Sequence, residues 1–472
     1  MSRSRSRSVL VLLVICMAQF MVVADDTIVN TALPSIGRDL GLSERSLAWV
    51  VNAYLLLFGG FLLLGGRAAD VLGRRRMFLV GLALFTLVSA VCGLARSDEL
   101  LVGARGLQGL AGALLSPAAL AILVTTFAEG PARTRALGVW AALLGLGAAT
   151  GLLAGGAITE TIGWRWVFFV NVPIGLAVLA ASLRLLPADP GRRERATLDV
   201  PGAVLVTGGL LAIVYSVVES HEQGWTSALT LGGLAAGAVL LVAFALREGR
   251  AGDPLVPPRL VRRRSVSVSN AIMAFAAAGM FAMFFFVSLY MQLVHGWSPL
   301  RAGVSFLAFT FAFGLTSGVA TKLLPRVGPR AMLAVGLLAA ASGMLVLSRL
   351  GVDAGYWSAL APALALAGVG MGLGFVPLTA VATGGVAGRD AGIVSGLLST
   401  CQQVGGAVGI AVLVTIASER TADVVAAGGG QAAALTEGFQ AAFVVNGAML
   451  LATIVLVPLL GRARVRAVTV PA

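Results

Sequence analysis

The chain has 472 residues, of which 58% are hydrophobic and only 12% are charged, and its mean hydropathy is +0.94. A soluble globular protein carries about 25% charged residues, so this composition excludes an ordinary soluble domain. The formal charge of +13 does not indicate nucleic-acid binding, because the basic residues lie in short clusters between apolar runs and the sequence contains no soluble basic domain.

Apolar runs of membrane-spanning length follow one another along the whole chain. A helix needs about 20 predominantly apolar residues to cross the hydrocarbon core of a bilayer. The runs lie at 9–33, 47–66, 77–95, 100–127, 136–159, 166–186, 198–218, 228–246, 266–294, 299–320, 331–350, 357–383, 391–417 and 440–460. The sequence therefore predicts an all-α integral membrane protein with about 14 transmembrane helices.

The basic residues give these spans a direction. With both termini cytoplasmic, seven basic residues would lie in outer segments, Arg105 would lie within a span, and the remaining 26 of the 34 would lie inside. The seven are Arg38, Arg45, Arg96, Arg165, Arg301, Arg349 and Arg420. This asymmetry favours an even number of spans in the inner (plasma) membrane. A signal peptide cleaved after Ala24 is an alternative, but the apolar pattern continues to Pro34.

A weak internal repeat indicates two related halves. The segment GRAADVLGRRRM at 66–77 matches TKLLPRVGPRAM at 321–332. The shared positions are Gly73/Gly328, Arg75/Arg330 and Met77/Met332. Because the offset is about eight spans, we predict a six-helix bundle over 1–190, two additional linker spans over 191–250, and a second six-helix bundle over 251–472.

The most informative residues are the charges within the spans: Asp25 and Asp26 in the first, and Arg105 in the fourth. An ionisable group at the bilayer centre costs roughly 2.5–3.5 kcal/mol, so each requires a partner or a function. Neighbouring helical positions point about 100° apart. Gln19, Asp26 and Asn30 therefore form one polar stripe, and periodicity favours Asp26 as facing a cavity and Asp25 as packed against other helices.

Two interpretations of these acids remain open. Protonation of a membrane-embedded carboxylate neutralises it and would release a bound cation, which is the physical basis of exchange. The alternative is that Asp25 or Asp26 only pairs with Arg105 and fastens the first span to the fourth.

The short loop after the second span is rich in charge. It contains Gly66, Arg67, Asp70, Gly73, Arg74 and Arg75. The basic residues alone would be explained by anchoring at the inner surface. An acid among them favours a charged latch between helix ends that opens or closes the cytoplasmic face.

No metal site, cofactor site or catalytic cluster is predicted. The chain has two histidines, and its three cysteines lie within apolar runs, where small buried hydrophobes are expected. The glycine-rich GVGMGLG at 368–374 lies within a span and lacks a following Lys-Ser/Thr, so helix packing explains it better than nucleotide binding.

Several motifs occur in order along nearly the whole chain. They are ADDTIVNTALP (24–34), GRAADVLGRRR (66–76), RGLQGLAGA (105–113), WRWVFFVNVPIG (164–175), LDVPG (198–202), YMQLVHGWSPLRAG (290–303) and SGLLSTCQQVGG (395–406). In this order and spacing the chain resembles the major facilitator superfamily, and specifically its fourteen-span drug:proton antiporter branch.

The resemblance implies alternating access by two six-helix bundles, with export driven by inward proton flow. The family's span 1 acid falls on Asp25 and its variable position on Asp26, so Asp25, Asp26 and Arg105 are the candidates for proton coupling. The candidates for substrate binding are Gln19, Asp26, Asn30, Gln108 and Gln403. The candidates for gating are the loop residues above together with Gly151, Gly155 and Gly156. The sequence departs from the antiporter motif in span 5, where Leu152 occupies the usual proline position.

The expected function is proton-coupled export of small lipophilic or cationic compounds such as drugs and antibiotics. The expected partners are that substrate, protons and the lipid bilayer, with no nucleic acid, no cofactor, no enzymatic activity and a monomeric state. Two alternatives remain: export or import of one specific endogenous metabolite, and a non-coupled membrane sensor or lipid-handling protein on the same fold.

Overall fold

A computed structural model of the chain describes residues 2–127, 130–186, 198–252, 254–384, 386 and 388–460. These residues form α-helices with short π- and 3-10-helical segments, and none of them is in a strand. Fourteen helical segments in this part of the chain are long and apolar enough to cross a membrane. The predicted all-α membrane fold is therefore confirmed. The linker residues 191–197 and the basic Arg462, Arg464 and Arg466 lie outside the described residues.

Seventeen α-helices occur in the described residues. They are α1 (Ser2–Leu40), α2 (Glu44–Leu72), α3 (Arg74–Gly93), α4 (Asp98–Thr126), α5 (Pro131–Thr161), α6 (Trp166–Phe169), α7 (Asn171–Leu185), α8 (Val200–Gln223), α9 (Ala228–Arg250), α10 (Pro258–Val261), α11 (Arg264–Leu289), α12 (Pro299–Ser305), α13 (Leu307–Val327), α14 (Pro329–Leu347), α15 (Ala361–Thr383), α16 (Gly388–Ala426) and α17 (Gln431–Thr453). Tyr290–Val294 and Tyr356–Leu360 are π-helical, and Ile454–Leu459 is 3-10 helical.

Several helices are longer than the apolar runs that predict them. Helix α1 continues through Pro34 to Leu40, because the backbone groups freed by a proline can be satisfied by neighbouring helices. Helix α17 begins at Gln431, nine residues before the predicted fourteenth span at 440–460. Its first turns are alanine-rich, which favours helix independently of hydropathy.

Helix α4 carries Arg105, and its start is fixed by a side-chain cap. The Ser97 Oγ accepts a hydrogen bond from the Leu100 backbone N–H at 3.3 Å. Asp98 and Glu99 occupy the first turn, where negative charge is stabilised by the helix dipole. Arg105 follows about two turns later, within the span.

A glycine in the left-handed region separates α2 from α3. Gly73 has φ 104°, and its repeat counterpart Gly328, before α14, has φ 83°. Residues with a side chain rarely adopt these angles, whereas glycine adopts them readily. Both copies of the predicted repeat therefore turn sharply at the same position.

The chain divides into two compact units. The first contains Met1–Ser216, Leu231–Leu255 and Gly296–Val304. The second contains Val217–Thr230, Val256–His295 and Ser305–Ala472. In the first unit, α2 and α4 approach closely, because a Cβ at Gly109 would lie 2.3 Å from the backbone oxygen of Tyr54. This approach brings the Tyr54 ring to the side chain of Arg105.

Candidate functional site

Asp25 lies inside the first unit with both carboxylate oxygens hydrogen-bonded. The residue is 1% exposed. Its Oδ2 accepts a hydrogen bond from Arg105 Nη1 at 2.7 Å, which makes an ion pair between α1 and α4. Its Oδ1 accepts hydrogen bonds from Gln108 Nε2 at 2.9 Å and from Asn171 Nδ2 at 2.6 Å. The acid therefore has a countercharge and two neutral donors, which is what an ionised buried carboxylate requires.

Arg105 is 1% exposed and is held from several sides. Its Nε donates to the backbone oxygen of Val50 on α2 at 3.1 Å, and its Nη1 also donates to Gln108 Oε1 at 2.6 Å. The guanidinium carbon lies 4.2 Å from the centroid of the Tyr54 ring, within the range of a cation–π interaction. These contacts fix the orientation of the guanidinium group towards Asp25.

Ser89 of α3 completes the hydrogen-bonded cluster, and Cys92 of the same helix lies beside it. Ser89 Oγ accepts from Gln108 Nε2 at 2.7 Å and from Asn171 Nδ2 at 3.4 Å. Cys92 Sγ lies 3.8 Å from Gln108 Oε1. We call Asp25, Ser89, Arg105, Gln108 and Asn171 the Asp25 cluster. It joins α1, α3, α4 and α7 through polar contacts in a membrane-spanning part of the unit.

The local sequence explains how these side chains meet. Arg105 and Gln108 are three residues apart, so they lie on the same face of α4. Asn171 is the first residue of α7, which follows the short helix α6. Because α6 and α7 lie within one predicted span, the amide donor of Asn171 comes from a single apolar run.

Asp26 lies outside the Asp25 cluster. It is half-buried, and its Oδ1 is shielded from solvent without a hydrogen-bond partner among the described residues. The side-chain amide of Asn30 donates to the backbone oxygen of Asp26 at 3.1 Å. In the same stripe, Gln19 Oε1 is also buried and unpartnered in the described part of the chain. Unsatisfied buried polar atoms are costly, so this stripe offers acceptors to a ligand or to water.

The structure thus brings three of the predicted site residues together and leaves others apart. Asp25, Arg105 and Gln108 form one network, whereas Gln19, Asp26 and Asn30 form the separate stripe on α1. Gln403 lies on α16 in the second unit and is 8% exposed.

Asn171, Ser89 and Tyr54 were not among the predicted site residues. Asn171 has a recognisable signal, because it is a lone amide within the apolar run WRWVFFVNVPIG. Ser89 and Tyr54 have none, since small hydroxyls and single aromatics are common in membrane helices.

The loop between α2 and α3 makes two kinds of contact. Arg74 Nη2 lies 3.2 Å from Asp70 Oδ1, and both side chains are substantially exposed. Arg75 Nη2 donates to the backbone oxygen of Leu183, near the end of α7, at 2.8 Å. In the second unit the repeat counterpart Arg330 donates to the backbone oxygen of Leu460. Each arginine thus binds a carbonyl near the end of a distant helix, where carbonyls lack partners within the helix.

Of the other glycines predicted to act in gating, Gly151, Gly155 and Gly156 are tightly packed and Gly66 is not. A Cβ at Gly66 would make an ordinary contact with Pro117, at 3.6 Å. A Cβ at Gly151 would lie 2.0 Å from Thr27 Oγ1, and one at Gly155 would lie 2.4 Å from Thr31 Oγ1. Helix α5 therefore packs directly on α1, the helix that carries both acids. A Cβ at Gly156 would lie 2.5 Å from the backbone oxygen of Pro299, which belongs to the same unit.

Known resistance and export proteins are similar to this chain. The puromycin resistance protein pur8 of Streptomyces alboniger is 45% identical over 430 residues, covering 90% of this chain and 85% of that protein. The cephamycin export protein CmcT of Amycolatopsis lactamdurans is 42% identical over 454 residues, covering 95% of this chain and 92% of that protein.

Solved structures share the fold at low sequence identity. A bacterial homolog of the human lysosomal transporter Spinster, in an inward-facing and occupied conformation, matches with a TM-score of 0.67 and 16% identity over 96% of both chains. A family model described as Major Facilitator Superfamily matches residues 15–410. The predicted fold and family are confirmed: the chain belongs to the Major Facilitator Superfamily and is a transporter rather than an enzyme.

Proposed function

We propose that this chain exports small lipophilic, often cationic compounds of the drug and antibiotic type and couples each export step to inward movement of a proton. Support for the export of such compounds comes from the resistance and export proteins to which the chain is similar. Support for coupling comes from one observation in this chain, the buried ion pair between Asp25 and Arg105.

In this proposal Asp25 is the proton-coupling acid. When it is ionised, its carboxylate holds Arg105, Gln108 and Asn171 and so fastens α1 to α4 and α7. A proton on Asp25 removes the ionic part of this attraction and leaves Arg105 with its contacts to Gln108 and Val50. Packing between these helices would then differ between the two protonation states, which is what a coupled transporter requires.

The proposed substrate contact is Asp26, with Gln19 and Asn30 on the same stripe. A free carboxylate oxygen in a shielded position attracts a cation strongly, because water competes little there. Gln108 was predicted to bind substrate, but its hydrogen bond to Asp25 favours a role with the proposed coupling acid; the role of Gln403 as a substrate contact in the second unit stays a prediction. This arrangement assigns the two neighbouring acids to different tasks.

For gating, we propose that the Asp70–Arg74 pair and Arg75 control the loop between α2 and α3, with Gly66, Arg67 and Gly73 shaping it. Gly151, Gly155 and Gly156 would allow α5 to slide on α1 and on residues 299–300 without steric hindrance. Leu152 replaces a helix-bending proline, so we expect α5 to act as a straight element.

The charge asymmetry of the sequence supports a location in the cytoplasmic (inner) membrane with both termini inside. We further propose a monomer with two six-helix bundles over 1–190 and 251–472 and an additional helix pair between them. One proton charge moved across 100 mV supplies about 2.3 kcal/mol, enough for a roughly 50-fold gradient of exported compound.

Proton release from inverted membrane vesicles tests the proposal. A panel of lipophilic cations and uncharged antibiotics is added to energised vesicles, and the pH gradient is followed with a fluorescent dye. We expect wild type and Asp423→Asn, an exposed acid on α16, to dissipate the gradient. Asp25→Asn should give no response to any compound.

Three outcomes would contradict the proposal. A wild-type-like response of Asp25→Asn would exclude Asp25 as the coupling acid. Movement of radiolabelled compound without any proton movement in wild type would indicate a non-coupled transporter. A response to a single metabolite within a broad panel would favour a narrow substrate range over drug export.

A further inference from the structure

A crevice of about 300 Å³ opens between α3 and α4. Its apolar lining includes Val88 and Val91 of α3 together with Leu100 and Leu107 of α4. Val88, Val91 and Leu107 stand next to Ser89, Cys92 and Gln108 in the sequence. Because neighbouring helical positions differ by about 100°, each is turned away from its polar neighbour.

The crevice is reached from the hydrocarbon region of the bilayer. Leu87 on α3 and Leu94 just after its end are 64% and 65% exposed, and Leu100 and Leu107 on α4 are 46% and 50% exposed. Large apolar side chains that are exposed on membrane-spanning helices contact lipid chains. A compound dissolved in the membrane can therefore enter this space without crossing water.

Gly103 creates the space and Glu99 gives it a charged end. A Cβ at Gly103 would meet no atom within 4 Å, so the missing side chain leaves a notch in the surface of α4. Glu99 lines the same crevice, and among the described residues of the lining it is the only charged one. It lies about one turn before Gly103, towards the membrane surface.

We infer that this crevice binds a lipophilic cation from the membrane, with its positive group at Glu99 and its apolar body over Gly103. The volume is at the lower end of the range for small-ligand pockets. A helix N-terminus accounts for acids in the first turn but not for the empty apolar notch beside one of them. Anionic lipid headgroups are disfavoured, because Asp98 and Glu99 adjoin the entrance.

The inference rests on the proposed function only in taking a lipophilic cation as the ligand. It does not depend on the proposed contact at Asp26, because the crevice is separate from that residue. It gives the protein a second place for a substrate-like cation, on the lipid-facing side of the helices that hold the coupling cluster. A cation held at the start of α4 lies where an exported compound would partition into the outer half of the bilayer.

Equilibrium binding of radiolabelled dodecyltrimethylammonium tests the inference. The full-length protein is placed in phosphatidylcholine nanodiscs, and binding to empty nanodiscs is subtracted. We expect two saturable sites in wild type. Gly103→Phe should fill the notch and remove one of them, while Glu99→Gln, which keeps the shape, should weaken one site about fivefold, because an exposed ion pair contributes little.

The control variant is Gly232→Phe on α9, where a Cβ also meets no atom within 4 Å; it should retain both sites. Uncharged dodecanol should compete poorly for the Glu99-dependent site. Wild-type binding by both Gly103→Phe and Glu99→Gln would overturn the inference, and equal competition by dodecanol would identify an acyl-chain site instead. If Asp26→Asn leaves binding unchanged while the Glu99-dependent site persists, the proposed substrate contact fails and the crevice stands.

Discussion

Asp25 and Asp26 are adjacent in the sequence, and their carboxylates have opposite surroundings. Asp25 accepts hydrogen bonds from Arg105, Gln108 and Asn171, whereas Oδ1 of Asp26 is buried without a partner in the part of the chain that the structure describes. The 100° step of the helix turns the two side chains to different faces of α1, and Asp25 faces α4 and α7. In a membrane helix, one residue therefore separates an acid whose two oxygens are both hydrogen-bonded from an acid whose Oδ1 has no partner among the described residues.

Removing the countercharge of Asp25 tests the difference between the two acids, and we expect the largest effect from this change. Arg105→Gln leaves a carboxylate buried without an ionic partner, so we expect the free energy of unfolding to fall by about 3–5 kcal/mol. Thermal unfolding of the purified protein measures the change. Arg96→Gln, an exposed arginine outside the cluster, is the control, and equal stability of the two variants would show that the ion pair does not hold α1 to α4.

A second test removes one neutral donor from Asp25. Asn171→Ala deletes a hydrogen bond to a charged group, which contributes about 1.5–3 kcal/mol. The matched control is Asn52→Ala, because the amide atoms of the buried Asn52 have no hydrogen-bond partner in the described residues. Both substitutions remove the same atoms, so similar losses of stability would mean that the contact to Asp25 contributes nothing beyond packing.

For Asp26 we expect a different kind of effect. Asp26→Asn breaks no hydrogen bond of the Asp26 side chain that the structure shows, so we expect stability close to wild type. A direct contact to a cationic substrate would be weakened by about 1.4 kcal/mol, which raises the apparent KM about tenfold. Transport kinetics should show this rise for cations and not for uncharged compounds; an equal rise for both would remove Asp26 from cation recognition.

A last test concerns the ring beneath Arg105. Tyr54→Leu removes the aromatic face that lies 4.2 Å from the guanidinium carbon, and because both side chains are buried we expect a loss of about 2 kcal/mol beyond packing. Tyr54→Phe keeps that face and should match wild type in thermal unfolding. If Tyr54→Phe is as unstable as Tyr54→Leu, the phenol oxygen and not the ring stabilises the cluster.

Hydropathy was sufficient to predict the fourteen spans, because the bilayer imposes one length and one polarity on every span. The charges of the cluster could also be found, since Asp25 and Arg105 are conspicuous within apolar runs. Periodicity could not say which helices each face of α1 would meet. It fixes angles between residues on one helix and contains nothing about the neighbours.

Asn171 shows why the rest of the site was missed. It is 146 positions from Asp25 in the sequence, and only the packing of α7 against α1 and α3 brings its amide to the carboxylate. Ser89 acts only through hydrogen bonds across helices, and a serine in an apolar run has the same appearance whether or not it makes them. The crevice beside Gly103 could not be predicted from the sequence for a related reason. A glycine leaves a cavity only where the neighbouring side chains do not fill the space.

The two arginine contacts at helix ends have a consequence for the history of the chain. Arg75 and Arg330 make the same contact in each unit, on Leu183 and Leu460, but Asp70 and Arg74 correspond to Pro325 and Pro329 in the second copy of the repeat. Duplication followed by divergence explains this pattern, because both copies of the repeat retain the arginine–carbonyl contact while only the first copy has the Asp70–Arg74 ion pair. A protein engineer who wishes to change the charge of the first loop without loosening its helices should therefore alter Asp70 or Arg74 and leave Arg75 in place.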